Sequence, residues 1–336
     1  MGEYLLMFFV TIILSIIFNY LAVYLANRMK LIDYPGSADH KTHKRPTPMS
    51  GGISIALTFL VYLIFLPDWL NREWAGIFLG AGIIFLFGLW DDIYKFGYST
   101  KLFGQFFGAM ILIVSGTHFN HFDPEKYKLI NYSITVLWVV GVVNAFNFID
   151  SMDNIVIGLC IIGFSSLVFL GGYIGLRSVL VISLILLGIV IVSYFFNRTP
   201  AKMFLGDSGA QTLGFFMATL CILYTMELPI TPSTYLVPML LMGVPIFNIT
   251  LVVFSRARRH IPVYRARLDQ VYNRLVSLGY KQAKAVSIIH LSGLVLNIFA
   301  IIIYFIPSTY AISLFFVVIM VGFSLLFIMD DKKRWI

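Results

Sequence analysis

Apolar residues along this chain gather into eleven long runs, beginning at about Tyr4, Gly51, Ala75, Leu102, Tyr132, Ile155, Ser178, Gly209, Tyr235, Ala285 and Pro307. A helix of about 20 mostly apolar residues crosses a bilayer, and each run is a candidate for one. The polar segments between them are short, the longest being Arg28–Ser50 and Ser255–Lys284. This pattern predicts an all-α fold: a polytopic membrane helical bundle of about eleven transmembrane helices, with residues 1–336 as a single integral membrane domain. The first run reads as a span, not as a secretory signal peptide. No basic segment leads it, its apolar stretch is too long, and no small-residue cleavage site follows.

Composition agrees, with 59% of residues hydrophobic and 12% charged, against roughly a quarter charged in soluble domains. Cys160 and Cys221 lie inside apolar runs and read as buried small hydrophobes, not as a disulfide framework. A net charge of +8 raises the question of nucleic acid, but in a membrane chain the division of cations between the two sides comes first. With the loops after odd-numbered runs on one side, 20 of the 24 Lys and Arg residues collect there; only Arg72, Lys126, Lys128 and Arg177 lie opposite. That asymmetry predicts an outside N-terminus, a cytoplasmic C-terminus, an odd number of spans and no nucleic-acid partner.

Charge also locates candidate chemistry. Asp91 and Asp92 follow the third run, Asp150 and Asp153 follow the fifth, and Asp207 precedes the eighth, so all five fall at the cytoplasmic face. One such Asp reads equally well as a solvated helix cap. Five together at apolar helix ends read as a polar cavity, because a carboxylate at membrane depth costs several kcal/mol unless it is paired or hydrated. On a helix Asn147, Asp150 and Asn154 share a face, and hard oxygen donors of this kind suit Mg²⁺.

Two basic loops carry alternative readings. The segment Asp33–Gly52 combines Lys41, His43, Lys44 and Arg45 with prolines and the pair Gly51-Gly52, which suits either a phosphate site at a helix N-terminus or a positive-inside anchor. Lys101 and Gln105, one turn apart, fit anion binding or snorkelling. The segment Ser255–Lys284, with Arg256, Arg258, Arg259, Arg265, Arg267 and Arg274, suits anionic headgroups or a substrate diphosphate. A transporter is the reading from a different class, but transporter sites sit near the midplane on broken helices, whereas these carboxylates sit at span ends.

Taken together, these segments resemble the polyprenyl-phosphate N-acetylhexosamine-1-phosphate transferase family. Its members include the phospho-muramoyl-pentapeptide translocase and the enzymes that initiate O-antigen and teichoic acid. The resemblance runs from Asp33 to about Gly279. It rests on Asp33, Pro35, Lys41, His43, Pro46, Pro48, Gly51 and Gly52; on Asp91-Asp92 with Lys101 and Gln105; on Asn144-Ala145-Phe146-Asn147 with Asp150 and Asp153; and on Asn197, Pro200, Ala201 and Gly206-Asp207-Ser208-Gly209. The chain departs from the pattern in three places. Gln270-Val271-Tyr272-Asn273-Arg274-Leu275 stands where a His-x-His-His-Arg-Leu motif is common, Asn248 stands where Asp is usual, and Ser151 and Asn154 replace glycines.

The resemblance implies a cytoplasmic active site in the inner (plasma) membrane, where a polyprenyl phosphate attacks the β-phosphate of a UDP-sugar and releases UMP. It implies catalytic roles for Asp91, Asp92, Asp150 and Asp153, and Mg²⁺, with Mn²⁺ as an alternative, held among Asp207, Asp91, Asp92 and Asn147. Substrate contacts would come from Lys41, His43, Lys101, Asn144, Asn147, Gly206, Arg259, Arg267 and Tyr272. The expected partners are the UDP-sugar, the polyprenyl phosphate lipid and, as a candidate assembly, a second copy in a homodimer. Tyr272-Asn273 leans towards enzymes that start surface polysaccharides over the peptidoglycan translocase. The missing histidines leave open a degenerate lipid-phosphate binder without turnover.

Overall fold

The computed structural model describes residues 2–36, 45–65, 71–123, 126–263 and 267–330. Each apolar run falls in a helix: α1 (Gly2–Arg28), α2 (Gly51–Phe65), α3 (Arg72–Tyr94), α4 (Tyr98–Ser115), α5 (Lys128–Ile149), α6 (Ile155–Ile174), α7 (Arg177–Asn197), α8 (Gly206–Met226), the pair α9 (Pro232–Leu241) and α10 (Gly243–Arg258), then α12 (Gln282–Phe305) and α13 (Ser308–Met329). A short α11 (Val271–Ser277) lies in the last large loop. Beside the helices there is one small ribbon, β1 (Ile32–Asp33) paired antiparallel with β2 (Thr47–Pro48). The chain is a multi-pass membrane protein; among the described residues eight helices are long and apolar enough to cross, or nine if α9 and α10 form one span bent by 70°.

That number is lower than the eleven expected, for local reasons. The described part of α2 is 15 residues long. Lys101 and Gln105 lower the hydropathy of the first turns of α4. Between α9 and α10 the cause is Pro245, which has no N–H to offer the Leu241 carbonyl one turn back. Asn297 of α12 donates to that carbonyl instead, at 3.4 Å, as a break at membrane depth requires.

The outer helix α1 buries its small and polar residues and turns its large apolar ones outward. On α1 the buried line is Thr11, Ser15, Asn19, Ala22 and Ala26, while Leu5, Phe9, Ile13 and Ile17 are exposed. Lipid is as apolar as leucine, so close approach and internal hydrogen bonds, not apolar burial, select the inner face. At the centre runs α8, in which every residue from Ser208 to Thr225 is buried. It is wrapped by α2, α3, α5, α6, α7 and α9.

Approach to α8 is close at Gly88 of α3, where an added Cβ would lie 2.5 Å from the Ser208 Cα and 2.9 Å from the Ser208 nitrogen. Gly88→Ala must therefore push two helix backbones apart, and should destabilise the protein by about 1–3 kcal/mol. Gly82→Ala on the same helix meets nothing within 4 Å and is the control. Thermal unfolding of both variants in detergent checks this, with a lowered midpoint expected for Gly88→Ala alone.

Candidate active site

The helices alternate in direction, so α3, α5 and α7 end, and α4, α6 and α8 begin, at the same face. Asp91 and Asp92 lie in the last turn of α3, which stops at Lys95 in a left-handed conformation (φ 54°, ψ 62°) with its N–H on the Asp91 carbonyl. Lys101 opens α4 and Asp207 opens α8. Their side chains converge: the Lys101 ammonium lies 2.8 Å from Asp91 Oδ2 and forms an ion pair with Asp207 Oδ2. Asp91 is only 3% exposed, yet its Oδ1 has no hydrogen-bond partner.

Asp92 faces elsewhere. Its Oδ1 accepts from the Asp207 N–H at 2.9 Å, and its Oδ2 accepts from the Ser208 N–H at 3.1 Å and the Ser208 hydroxyl at 2.7 Å. The glycine-rich helix starts, expected to cradle phosphate, are also spent on protein. Ser50 and Gly51 donate to the Phe204 carbonyl and Gly52 to that of Leu205, which joins the starts of α2 and α8. Gly206 adopts φ +72°, which L residues rarely enter, and a Cβ there would sit 2.7 Å from Asp92 Oδ2. Backbone packing, not an open anion nest, is what these glycines permit.

One turn below the ion pair, an amide chain crosses three helices. Asn144 of α5 donates to Gln105 Oε1 at 2.6 Å, and Gln105 donates to Gln211 Oε1 of α8 at 3.0 Å. Gln105 and Gln211 follow Lys101 and Asp207 by four residues each, so the two pairs stack. The structure thus buries Asn144 in a brace between helices. Gln211, which sequence reasoning missed, carries a signal of its own: it is an amide one turn after Asp207 inside an apolar run.

At the end of α5, burial first, then the negative charges of Asp207, Asp153 and Asp92, push the Asp150 carboxyl up to about 8. This part of the site therefore holds more carboxylate than cation. Asp153 accepts from the Thr199 hydroxyl at 2.8 Å. Asn147 is half-buried. Asn154 takes φ +64° before α6 and donates its N–H to Asn197 Oδ1 at 2.7 Å; asparagine tolerates this conformation better than most residues, so it fills the expected glycine's place.

The basic loop is largely tied up in itself. Arg256 clamps Asp269 through two bonds of 2.9 and 2.7 Å. Asp330, after α13, gathers Arg258 at 3.2 Å, Arg259 at 3.0 Å and Arg274 at 3.6 Å. Arg259, an expected substrate contact, is thus engaged by a carboxylate, while Arg267 is exposed. Asn248 Oδ1 accepts the Val271 N–H at 2.9 Å and fixes the start of α11. There Tyr272 is 5% exposed, and burial, then the charge of Asp153, raise its phenol. Lys41 and His43 lie outside the described residues.

These donors fit a divalent metal. Mg²⁺ takes one or two carboxylates and completes its shell with water and phosphate. The unpartnered Asp91 Oδ1 beside Asp207 offers such a partial shell, and no group of three or more His, Cys, Asp or Glu with metal-ligand geometry occurs among the described residues.

Residues 74–225 match the model of glycosyl transferase family 4, a stretch that runs from α3 through α8. The chain is 28% identical over 322 residues to a probable undecaprenyl-phosphate N-acetylglucosaminyl 1-phosphate transferase of Bacillus subtilis, covering 94% of this chain and 88% of the relative. It is 31% identical over 265 residues to the undecaprenyl-phosphate alpha-N-acetylglucosaminyl 1-phosphate transferase of Thermotoga maritima, covering 77% and 74%. A phospho-N-acetylmuramoyl-pentapeptide-transferase of Lacticaseibacillus paracasei is 28% identical over 204 residues, covering 55% and 63%.

Removal of Asp330 would take from the fully buried Arg274, and from Arg258 and Arg259, the carboxylate they share. Asp330→Ala should therefore cost about 3–5 kcal/mol, read as a lowered unfolding midpoint in detergent. Arg267→Ala, at an exposed position, should leave that midpoint where it is.

Proposed function

Because the chain belongs to the polyprenyl-phosphate N-acetylhexosamine-1-phosphate transferase family, we propose that it transfers an N-acetylhexosamine-1-phosphate from a UDP-sugar to polyprenyl phosphate, as an initiating step of cell-envelope polysaccharide synthesis. The observation that carries this reading is the buried Asp91–Lys101–Asp207 constellation with its unpartnered Asp91 oxygen. Such a cluster is built for phosphate and a metal, not for a passive helix end. N-acetylglucosamine is the sugar in the names of two relatives that each match more than three quarters of this chain, and UDP-N-acetylglucosamine is the first donor to test.

In this reading an oxygen of the lipid phosphate forms a bond to the β-phosphorus, the bond from that phosphorus to the bridging oxygen breaks, and UMP leaves with the electron pair. A phosphate monoester loses its second proton near pH 6, so the nucleophile is mostly a dianion at neutral pH and needs orientation more than deprotonation. Asp91 supplies that orientation. Lys101, already between Asp91 and Asp207, offers its charge to the diphosphate. Asp207 with Asp91 would hold Mg²⁺ or Mn²⁺, which when bound neutralises the charge gathering on the leaving group. Asp150, Asp153, Asn147 and Tyr272 position the nucleotide.

The chain's cation asymmetry supports an outside N-terminus, a cytoplasmic C-terminus and a site on the cytoplasmic side of the plasma membrane. An eleven-crossing topology follows if α2, α4 and the bent α9–α10 unit each traverse.

Purified protein given undecaprenyl phosphate, Mg²⁺ and a panel of UDP-N-acetylhexosamines should release UMP. Asp207→Asn should lower kcat about a thousandfold, or roughly 4 kcal/mol of transition-state stabilisation, in a protein that still folds. Full turnover in that variant would refute the metal assignment, and no UMP from any donor would refute the transferase reading.

A further inference from the structure

We propose that Asp92 is a positioning residue, whose carboxylate caps the N-terminus of α8 and thereby aims Asp207, without contact with substrate or metal. The proposal rests on the reading of Asp207 given above. It starts from what α8 lacks. A helix leaves its first N–H groups without partners, and Leu205, at the cap position, is itself in a helical conformation with no side chain to accept them. From Ser208 onward the helix is buried in the bundle, so these amides need acceptors from the protein.

Asp92 supplies the missing acceptor from another helix. Both of its oxygens are filled by α8: Asp207 N–H on one, Ser208 N–H and hydroxyl on the other. The surroundings are fitted to this contact, since Gly206 reaches it only through a positive φ with no Cβ against Oδ2, and Gly88 lets the Ser208 backbone come close to α3. The neighbouring Asp91 differs in each respect, with one oxygen on Lys101 and the other unpartnered. Residues adjacent on a helix point about 100° apart, so one turn of α3 serves two tasks, Asp91 facing the reaction and Asp92 holding the residue opposite it. An anion at a helix N-terminus also meets the positive end of the dipole.

A double-mutant cycle separates this role from a direct one. Misplacement by about 1 Å can cost a hundredfold in rate. Asp92→Asn, which sets an amide NH₂ against N–H donors, should therefore lower kcat about a hundredfold with KM within about twofold. Ser208→Ala, which removes one of the three donors, should lower kcat by roughly tenfold, again with KM kept. Because both act through one contact, the double variant should be no slower than Asp92→Asn alone. Losses that multiply, or a neutral Ser208→Ala, would overturn the proposal. Should Asp92→Asn not fold, the kcat and KM of Ser208→Ala still decide it.

A readout without turnover is hydrogen exchange over residues 204–212. Asp92→Asn should speed exchange of the Asp207 and Ser208 amides roughly tenfold or more, as expected on loss of bonds to a charged acceptor; unchanged protection would refute the cap. If the wild-type protein released no UMP from any donor, the transferase reading would fall while exchange still judged the cap.

Discussion

A helix that begins inside a bundle has to find acceptors for its first amides in protein, because neither water nor lipid reaches them. The start of α8 is that place in this chain, and much of the cytoplasmic face is arranged around it. Asp92 reaches across from α3 to accept the Asp207 and Ser208 amides. Phe204 and Leu205, just before the helix, accept from Ser50, Gly51 and Gly52, which brings α2 to the same point. The geometry that satisfies α8 thereby fixes Asp207 next to Lys101, and the Gln105–Gln211 bond one turn deeper keeps α4 and α8 in that register.

The electrostatic consequence is an acidic cluster with one cation at its centre. Lys101 serves both Asp91 and Asp207, Asp92 is neutralised in effect by helix amides, and Asp150 is left with burial and like charges that favour its protonated form. Four described arginines of the basic loop, Arg256, Arg258, Arg259 and Arg274, are instead matched to Asp269 and Asp330. The deficit of positive charge is local, in a chain whose net charge is +8. In the proposed reading, a divalent cation bound with a substrate diphosphate would offset this deficit.

How much of this was legible depended on the range of each interaction. Every apolar run became a helix, because hydropathy over about 20 residues is a local property, but the number of full spans was not, since a missing N–H at Pro245 acts on a carbonyl outside its own residue type. The five carboxylates could be placed at one face from the charge division alone. Asp91 and Asp92, however, are the same residue side by side, and only the fold shows that one meets Lys101 and the other meets α8. The partner of Arg259 was out of reach for a similar reason: Asp330 lies 71 residues beyond it. The pair Gly51-Gly52 carried a true signal of close backbone approach, but the partner is the 204–205 carbonyls.

The departures from the family pattern divide by the work each position does. Asn154 and Asn248 stand at places whose task is backbone geometry. The first takes a left-handed φ and the second offers one acceptor oxygen to the Val271 N–H, so asparagine serves where glycine or aspartate is usual. Tyr272 is different in kind, because it replaces a motif rich in groups that titrate near neutrality with a phenol that does not. Burial and the charge of Asp153 raise its hydroxyl further, so it remains a neutral hydrogen-bond donor across the physiological range. In the proposed reading, the nucleotide end of the site would then be met by a donor of fixed charge on a helix fixed by Asn248 and Arg274.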